Sequence, residues 1–170
     1  DPWLSEDTQR VLDLCTGNGS LAVLAAMTYP EVMVDAADIS PDALAVARIN
    51  VERHALTDRI TLIESDGLAA CPGPYDLILC NPPYVNAHSM SILPAEYHAE
   101  PVLALAGGDD GMDLIRRIIA AAPDYLSERG ALLLEIGNEF ENFKNSLKAL
   151  KTRAFVSNCG ILCGFREVAE

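Results

Sequence analysis

The stretch Arg10-Val-Leu-Asp-Leu-Cys15 runs without a break into Thr16-Gly-Asn-Gly-Ser20 and then into the Ala- and Leu-rich segment Leu21 to Tyr29. A short apolar run reads as a strand, the glycines permit a sharp turn, and the residues that follow favour helix. A strand passing through a glycine turn into a helix is the opening of an α/β unit, and that limits what the remaining chain can build.

The rest of the sequence continues the alternation. Val32 to Asp38 predicts a second strand ending in an acid, and Ser40-Pro41 supplies a cap and a first-turn proline for a helix reaching about Ala55. Arg59 to Glu64 predicts a third strand and Tyr75 to Cys80 a fourth, stopped by Asn81-Pro-Pro-Tyr84 because proline cannot continue a ladder. Val85 to Gly111 has prolines and glycines but no sustained period, so it reads as a long connection with room for short helical turns. Met112 to Leu126 predicts a helix, Gly130 to Gly137 a fifth strand and Glu139 to Leu150 a helix, with one or two strands in Phe155 to Val168. The expected fold is a mostly parallel, Rossmann-like α/β sheet with helices on both faces.

A length of 170 residues suits one domain, and residues 1–170 are expected to form it. The chain opens at Asp1-Pro2-Trp3 without an initiator Met, and is read as a piece of something longer. No apolar run approaches the roughly 18 to 20 residues of a membrane span, and no basic n-region leads an apolar stretch. Five cysteines, three of them in or beside apolar stretches, point to small hydrophobes in a reducing, cytoplasmic setting. His54, His88 and His98 do not combine with cysteines at zinc spacings, and Cys159-x-x-x-Cys163 has no second pair, so no metal is expected. Twelve basic against 25 acidic residues give a net charge of −13, which opposes binding to phosphate backbones and favours a basic partner.

Two motifs carry chemistry. In Asp13-Leu-Cys-Thr-Gly-Asn-Gly19 a strand ends on glycines that let a ligand approach the backbone, and Asp38, 19 residues beyond Gly19, can accept hydrogen bonds from ribose hydroxyls. Gly17-x-Gly19-x-x-Ala22 also satisfies the relaxed dinucleotide fingerprint, so a nicotinamide cofactor competes at this point. Asn81-Pro-Pro-Tyr84 separates the two, because it suits methyl transfer to a planar nitrogen and has no use in hydride transfer. An amide or exocyclic amine nitrogen is a poor nucleophile, so it must be fixed in line with the methyl group and its developing charge stabilised. Asn81 can accept one N–H, the carbonyl of Pro82 the other, and Tyr84 offers an aromatic wall.

Together, Asp13-Leu-Cys-Thr-Gly-x-Gly19, Asp38-Ile-Ser-Pro-Asp-Ala-Leu44, Ser65-Asp66 and Asn81-Pro-Pro-Tyr-Val85 resemble the class I S-adenosylmethionine-dependent protein glutamine N5-methyltransferases, the HemK/PrmB group. Leu93-Pro94, Glu100-Pro101, Ala104-Leu-Ala-Gly-Gly108 and Asp110-Gly111 extend the likeness, which runs from about Trp3 to Asn138. Pro2-Trp3, Asp13-Leu-Cys15 and Glu135-Ile-Gly-Asn138 are similar to the PrmB branch, which acts on a large-subunit ribosomal protein; the release-factor branch is the near alternative. Two departures stand out: the family's N-terminal helical substrate-recognition module is absent, and Lys148 to Glu170 does not match the usual ending.

The resemblance implies S-adenosylmethionine as cofactor and S-adenosylhomocysteine as product. The methionine end would lie over Cys15, Thr16, Gly17, Asn18 and Gly19, with Asp13 behind them; the ribose would sit on Asp38 beside Ile39, and the adenine near Asp66 and Gly67. Asn81, Pro82, Pro83 and Tyr84 would be catalytic, with Asn81 also touching the cofactor. Asn81, Pro82, Tyr84 and Glu100 would meet the substrate, a glutamine in a basic ribosomal protein or in a release factor, with no direct nucleic-acid or membrane contact. Two other functions compete: N6-adenine methylation of DNA or RNA, which poses the same geometric problem but conflicts with the acidity, and a cofactor-binding domain without turnover.

Overall fold

The computed structural model describes residues 8–137, 139–150, 155–156 and 161–163. The Pro2-Trp3 lead-in, Asn138 and Cys159 lie outside the described residues.

The elements follow in the expected alternation: β1 (Arg10–Leu14), α1 (Ser20–Thr28), β2 (Met33–Asp38), α2 (Pro41–Arg53), β3 (Ile60–Glu64) and β4 (Tyr75–Cys80). The long connection carries α3 (Ala87–Ser91), a 3-10 turn over Ala95–Ala99 and α4 (Val102–Leu105) before α5 (Asp113–Tyr125), β5 (Leu126–Glu135) and α6 (Phe140–Leu150). The final stretch holds two strands, β6 (Phe155–Val156) and β7 (Ile161–Cys163).

The strands form one sheet in the order β3-β2-β1-β4-β5-β7-β6. The first five are parallel, and β7 runs antiparallel to both β5 and β6. Chain order reverses between β1 and β4, so the crevice beyond their carboxyl ends is where such a sheet accommodates a ligand.

Alternation along each strand divides the core in two. Leu12, Leu14, Ile78, Leu132 and Leu134 face Ile115, Ile118 and Ile119 of α5 and Phe143 of α6. Val11, Val34, Ala36 and Leu77 face Ala22, Val23 and Ala26 of α1 and Val51 of α2. Each fully buried aliphatic side chain contributes about 1.5–3 kcal/mol of transfer free energy, so the two layers hold the strand ends in fixed register.

Helix starts follow local chemistry. Ser40 accepts a hydrogen bond from the Ala43 N–H at 3.2 Å, with Pro41 in the first turn. The α1 helix begins at left-handed Gly19 without a side-chain cap of its own. Its orphan donor is met from below, where the Asp13 carboxylate accepts the Ala22 N–H at 2.9 Å.

One element departs from its sequence-based bounds. The fifth strand starts at Leu126, not Gly130, directly after α5. Tyr75 pairs with Leu126 but Leu77 with Ala131, and this shift accommodates extra residues that carry no apolar alternation.

Candidate active site

The carboxyl ends of β1, β2, β3 and β4 open onto a cleft of about 390 Å³ whose wall includes Cys15, Gly17, Asp38, Asp66, Asn81 and Pro83. These are residues of all four sequence segments singled out above, gathered across the β1/β4 reversal. The far wall comes from the returning connection and α5, through Pro101, Leu103, Leu114 and Arg117.

The first loop divides its residues between the cleft and its own support. Gly17, at φ +56°, donates its N–H to Asp38 Oδ2 at 2.8 Å, and a Cβ placed on it would meet no atom within 4 Å. Gly19, at φ +80°, has another purpose: a Cβ there would come within 3.1 Å of Ala47 Cβ, so it lets α2 approach the turn. Cys15 also adopts left-handed backbone, at φ +60°, and borders the cleft. Its side chain packs against the core layer that contains Cys80, whose own titration is pushed up by burial and then by Cys15.

Asp13, Thr16 and Asn18 lie off the cleft wall. The Asp13 side chain is buried, accepting hydrogen bonds from the Thr16 hydroxyl and the Ala22 N–H, while among the described residues its Oδ1 has no partner. Burial raises its pKa from 3.8 to about 6 against the opposing effect of those two hydrogen bonds, and the nearby Asp38 charge adds to the rise. Thr16 is itself buried, and its N–H donates to the Ala37 carbonyl at 3.0 Å. Asn18 faces solvent, where its side-chain oxygen accepts from the Ser20 N–H and hydroxyl. These three build the loop that presents Cys15 and Gly17.

Asp38 is positioned on both oxygens: Oδ2 accepts from Gly17 and Oδ1 from the Ser40 N–H at 2.9 Å. A carboxylate has about four lone-pair sites, so two remain for a diol. Ile39 is exposed on the wall beside it. At the other end, Gly67 turns with φ +60°, and Asp66 pairs with Arg117 at 3.0 Å, both side chains more than half exposed.

Within the tetrapeptide, Asn81 is exposed on the wall, and among the described residues its carboxamide has no hydrogen-bond partner. Pro82 is buried off the wall and Pro83 lies on it. Tyr84, also off the wall, is half-buried and donates its hydroxyl to Glu135 Oε1 at 3.4 Å. Burial, followed by the Glu135 charge and hydrogen bond, pushes its titration up, with smaller effects from Tyr97 and Glu100. Glu100 is exposed off the wall, and its backbone N–H donates to the Tyr97 carbonyl at 3.1 Å.

The connection after Tyr84 folds back on the tetrapeptide. Val85 bridges Ala106, and the Gly107 N–H donates to the Val85 carbonyl at 2.9 Å. A Cβ on Gly107 would come within 2.8 Å of the Pro83 carbonyl. Pro101, Leu103, Leu114 and Arg117 reach the wall through this return and through α5. Pro101 belongs to the family likeness without a site role, and Leu103, Leu114 and Arg117 had only a faint cue in the sequence: Asp113, Leu114 and Arg117 all line the cleft from one side of an amphipathic helix.

Comparison with known proteins adds four findings. The methyltransferase small domain family model matches residues 3–96. The chain is 54% identical over 153 residues to the ribosomal protein uL3 glutamine methyltransferase of Bordetella pertussis, covering 88% of this chain and 51% of that protein. It is 51% identical over 149 residues to the enzyme of the same name from Burkholderia pseudomallei, covering 83% of this chain and 48% of that one. The chain therefore spans about half the length of the curated relatives it matches. Among solved structures, a ribosomal protein L11 methylase from Lactobacillus delbrueckii subsp. bulgaricus superposes with a TM-score of 0.64 at 20% identity, over 94% of this chain and 69% of that one, a likeness of fold.

Proposed function

The chain belongs to the methyltransferase small domain family, and from that premise we propose that it is the catalytic domain of a cytoplasmic enzyme that methylates a glutamine side-chain nitrogen in a large-subunit ribosomal protein. The observation that carries this reading is the position of Asn81-Pro-Pro-Tyr84 at the end of β4, with Asn81 and Asp38 on the wall of one cleft, in a chain about half identical to named uL3 glutamine methyltransferases.

The residues fit S-adenosylmethionine. A cleft of about 390 Å³ falls within the roughly 300–1,000 Å³ of small-molecule sites. Gly17 leaves open space where any side chain would intrude, and Asp38 beside it retains acceptor capacity for two ribose hydroxyls. Asp66 can accept from the adenine amine, and the backbone from Cys15 to Gly17 can border the methionine end. When bound, S-adenosylmethionine supplies a sulfonium-activated methyl group and leaves as S-adenosylhomocysteine.

The chain's own residues would then orient the acceptor. Asn81 Oδ1 accepts one amide N–H of the glutamine, holding the nitrogen toward the methyl group and stabilising the positive charge that grows on it. The Pro82 carbonyl is the second acceptor in this reading, and Pro83 shapes the wall. Tyr84, off the wall and fixed by Glu135, would meet the acceptor only from outside the cleft. No strong base is required, because the proton becomes acidic only as the carbon–nitrogen bond forms, and it then passes to solvent water.

The test is methyl transfer from S-adenosylmethionine to purified uL3 and, in parallel, to a peptide release factor, with the product located by mass spectrometry. Methylation of a uL3 glutamine supports the proposal, and methylation of the release factor alone redirects it. Failure of S-adenosylhomocysteine to bind the chain would overturn it.

A further inference from the structure

Beyond the cleft, and resting on the reading of it as a glutamine methyltransferase site, the connection from 85 to 111 has a surface that the chemistry above does not use. Ile92 and Val102 are 68% and 67% exposed, Leu103 is 57% and Tyr97 42%. Apolar side chains are exposed on the helices too, among them Leu24, Met27 and Ile49, but the connection differs in adjoining the cleft wall through Leu103. The same 27-residue stretch contains Glu96, Glu100, Asp109 and Asp110 and not one Lys or Arg. Asp110 is held by Arg116, while Glu96, Glu100 and Asp109 are exposed.

This surface adjoins the reacting end of the cleft and is firmly held. Pro101, Leu103 and Ala104 belong both to the connection and to the cleft wall. The Val85–Ala106 bridge fixes its two ends together. Beneath it, Glu139 accepts from Asn86 and Asn142, and Asn142 also donates to the Asp110 carbonyl at 3.1 Å. An anchored rim of this kind can serve as a preformed surface for an extended chain.

We infer that the 85–111 rim is the docking surface for the segment that carries the target glutamine, taking an aliphatic side chain against Ile92, Val102 and Leu103 and a Lys or Arg beside Glu96 and Glu100. Charge complementarity selects this occupant. A protein that binds ribosomal RNA is rich in Lys and Arg, and a rim with four acids and neither Lys nor Arg attracts such a segment while repelling the RNA itself.

The experiment uses the 170-residue chain saturated with S-adenosylhomocysteine and three labelled peptides, with affinity read by fluorescence anisotropy. One peptide carries glutamine flanked by Leu and Lys; in the second Lys becomes Ser, and in the third Leu becomes Ser. The first should bind roughly tenfold more tightly than either other peptide at low salt, and the lysine-dependent part should weaken with added salt. The double variant Glu96→Lys/Glu100→Lys should erase the preference for lysine. Asp124→Lys/Glu128→Lys, an equal change of net charge at exposed acids near the start of β5, should leave it intact.

Titration with S-adenosylhomocysteine separates the two claims. If the wild-type chain does not bind it, the methyltransferase reading fails. If it binds but the three peptides are indistinguishable or do not bind, or if the remote reversal acts like the rim reversal, the docking inference fails while the cofactor site stands.

Discussion

The two ends of the parallel sheet differ in how their polar groups are satisfied. Near the amino ends of the strands, Asp76 accepts from the N–H groups of Gln9 and Arg10, both at 3.0 Å, and from the Ser127 hydroxyl at 2.8 Å. Tyr75 donates to Asp35, which also pairs with Arg10, and the Arg10 guanidinium lies over the Tyr75 ring and donates to the Gly73 carbonyl. These groups use their partners within the protein. At the carboxyl ends, Asn81 has no partner among the described residues, and Asp38 accepts from the Gly17 and Ser40 N–H groups while keeping acceptor sites toward the cleft. One end spends its hydrogen-bonding capacity on the fold, and the other holds it back for ligands.

On this contrast, substitutions at the carboxyl end should cost activity more than stability, and those at the amino end the reverse. The largest expected effect is at Asn81. Asn81→Ala should lower kcat for glutamine methylation by roughly 100- to 1,000-fold, the range for loss of one preorganised transition-state partner, while affinity for S-adenosylhomocysteine and the urea midpoint barely move. Equal losses in kcat and cofactor affinity would show that Asn81 holds the cofactor rather than the acceptor.

Asp38→Ala comes next. Losing a carboxylate that accepts from a bound diol should weaken S-adenosylhomocysteine by roughly 100-fold, at about 1.5–3 kcal/mol per charged hydrogen bond. Isothermal titration reads the effect directly, and an unchanged affinity would remove Asp38 from the cofactor site.

Asp76→Ala is the counterpart at the other end. It leaves two backbone N–H groups and the Ser127 hydroxyl without their acceptor, at a cost of about 2–3 kcal/mol in urea denaturation, with cofactor affinity unchanged. A loss of affinity in step with stability would break the contrast.

These predictions also show what was legible in the sequence. Asp38, Gly17 and Asn81 could be found because each role is local: a strand end, a positive-φ turn, a strand halted by proline. Asp13, Thr16 and Pro82 belong to the same motifs, yet the structure turns Asp13 and Thr16 under the loop and buries Pro82. A motif gives spacing, and which way each side chain faces is decided by the layers beneath it. Arg117 and Leu103 reach the cleft from 50 and 22 residues beyond Gly67 and Asn81, through a connection whose return on Pro83 depends on tertiary contacts. The start of β5 was hidden for a similar reason, since the register shift opposite Tyr75 and Leu77 is a property of the pair of strands.

The contrast can be sharpened by pH, because the acids at the two ends titrate in opposite senses. Burial alone would raise the Asp76 pKa, but the Gln9 and Arg10 N–H groups, Ser127 and the Arg10 charge outweigh it and hold the group below its usual value. Its stabilisation is present above about pH 4 and is lost as the pH falls further through the folded pKa. Asp13 is raised to about 6, so its contribution is fully present below its unfolded value near 3.8 and is lost as the pH rises through about 6. Between pH 7 and pH 5, wild-type stability should therefore increase relative to Asp13→Asn, which carries no titrating group there. Parallel Tm profiles for the two proteins over that window would show that Asp13 is not the buried acid described.

The smallest effect is expected at Cys15, where the two demands on the carboxyl end meet in one residue. Its left-handed backbone at φ +60° is costly for any residue with a Cβ, by about 1 kcal/mol, and Cys15→Gly removes that strain. The same change deletes a half-buried thiol packed against the core layer that contains Cys80, a loss of about 1 kcal/mol of apolar contact. The two terms nearly cancel, so the urea midpoint should shift little. Cofactor affinity should change less than twofold, because Gly17 and Asp38 carry the contacts assigned to the loop. A large drop in affinity with stability unchanged would mean that the Cys15 side chain itself forms part of the ligand surface, and that the carboxyl end reserves an apolar contact as well as its polar ones.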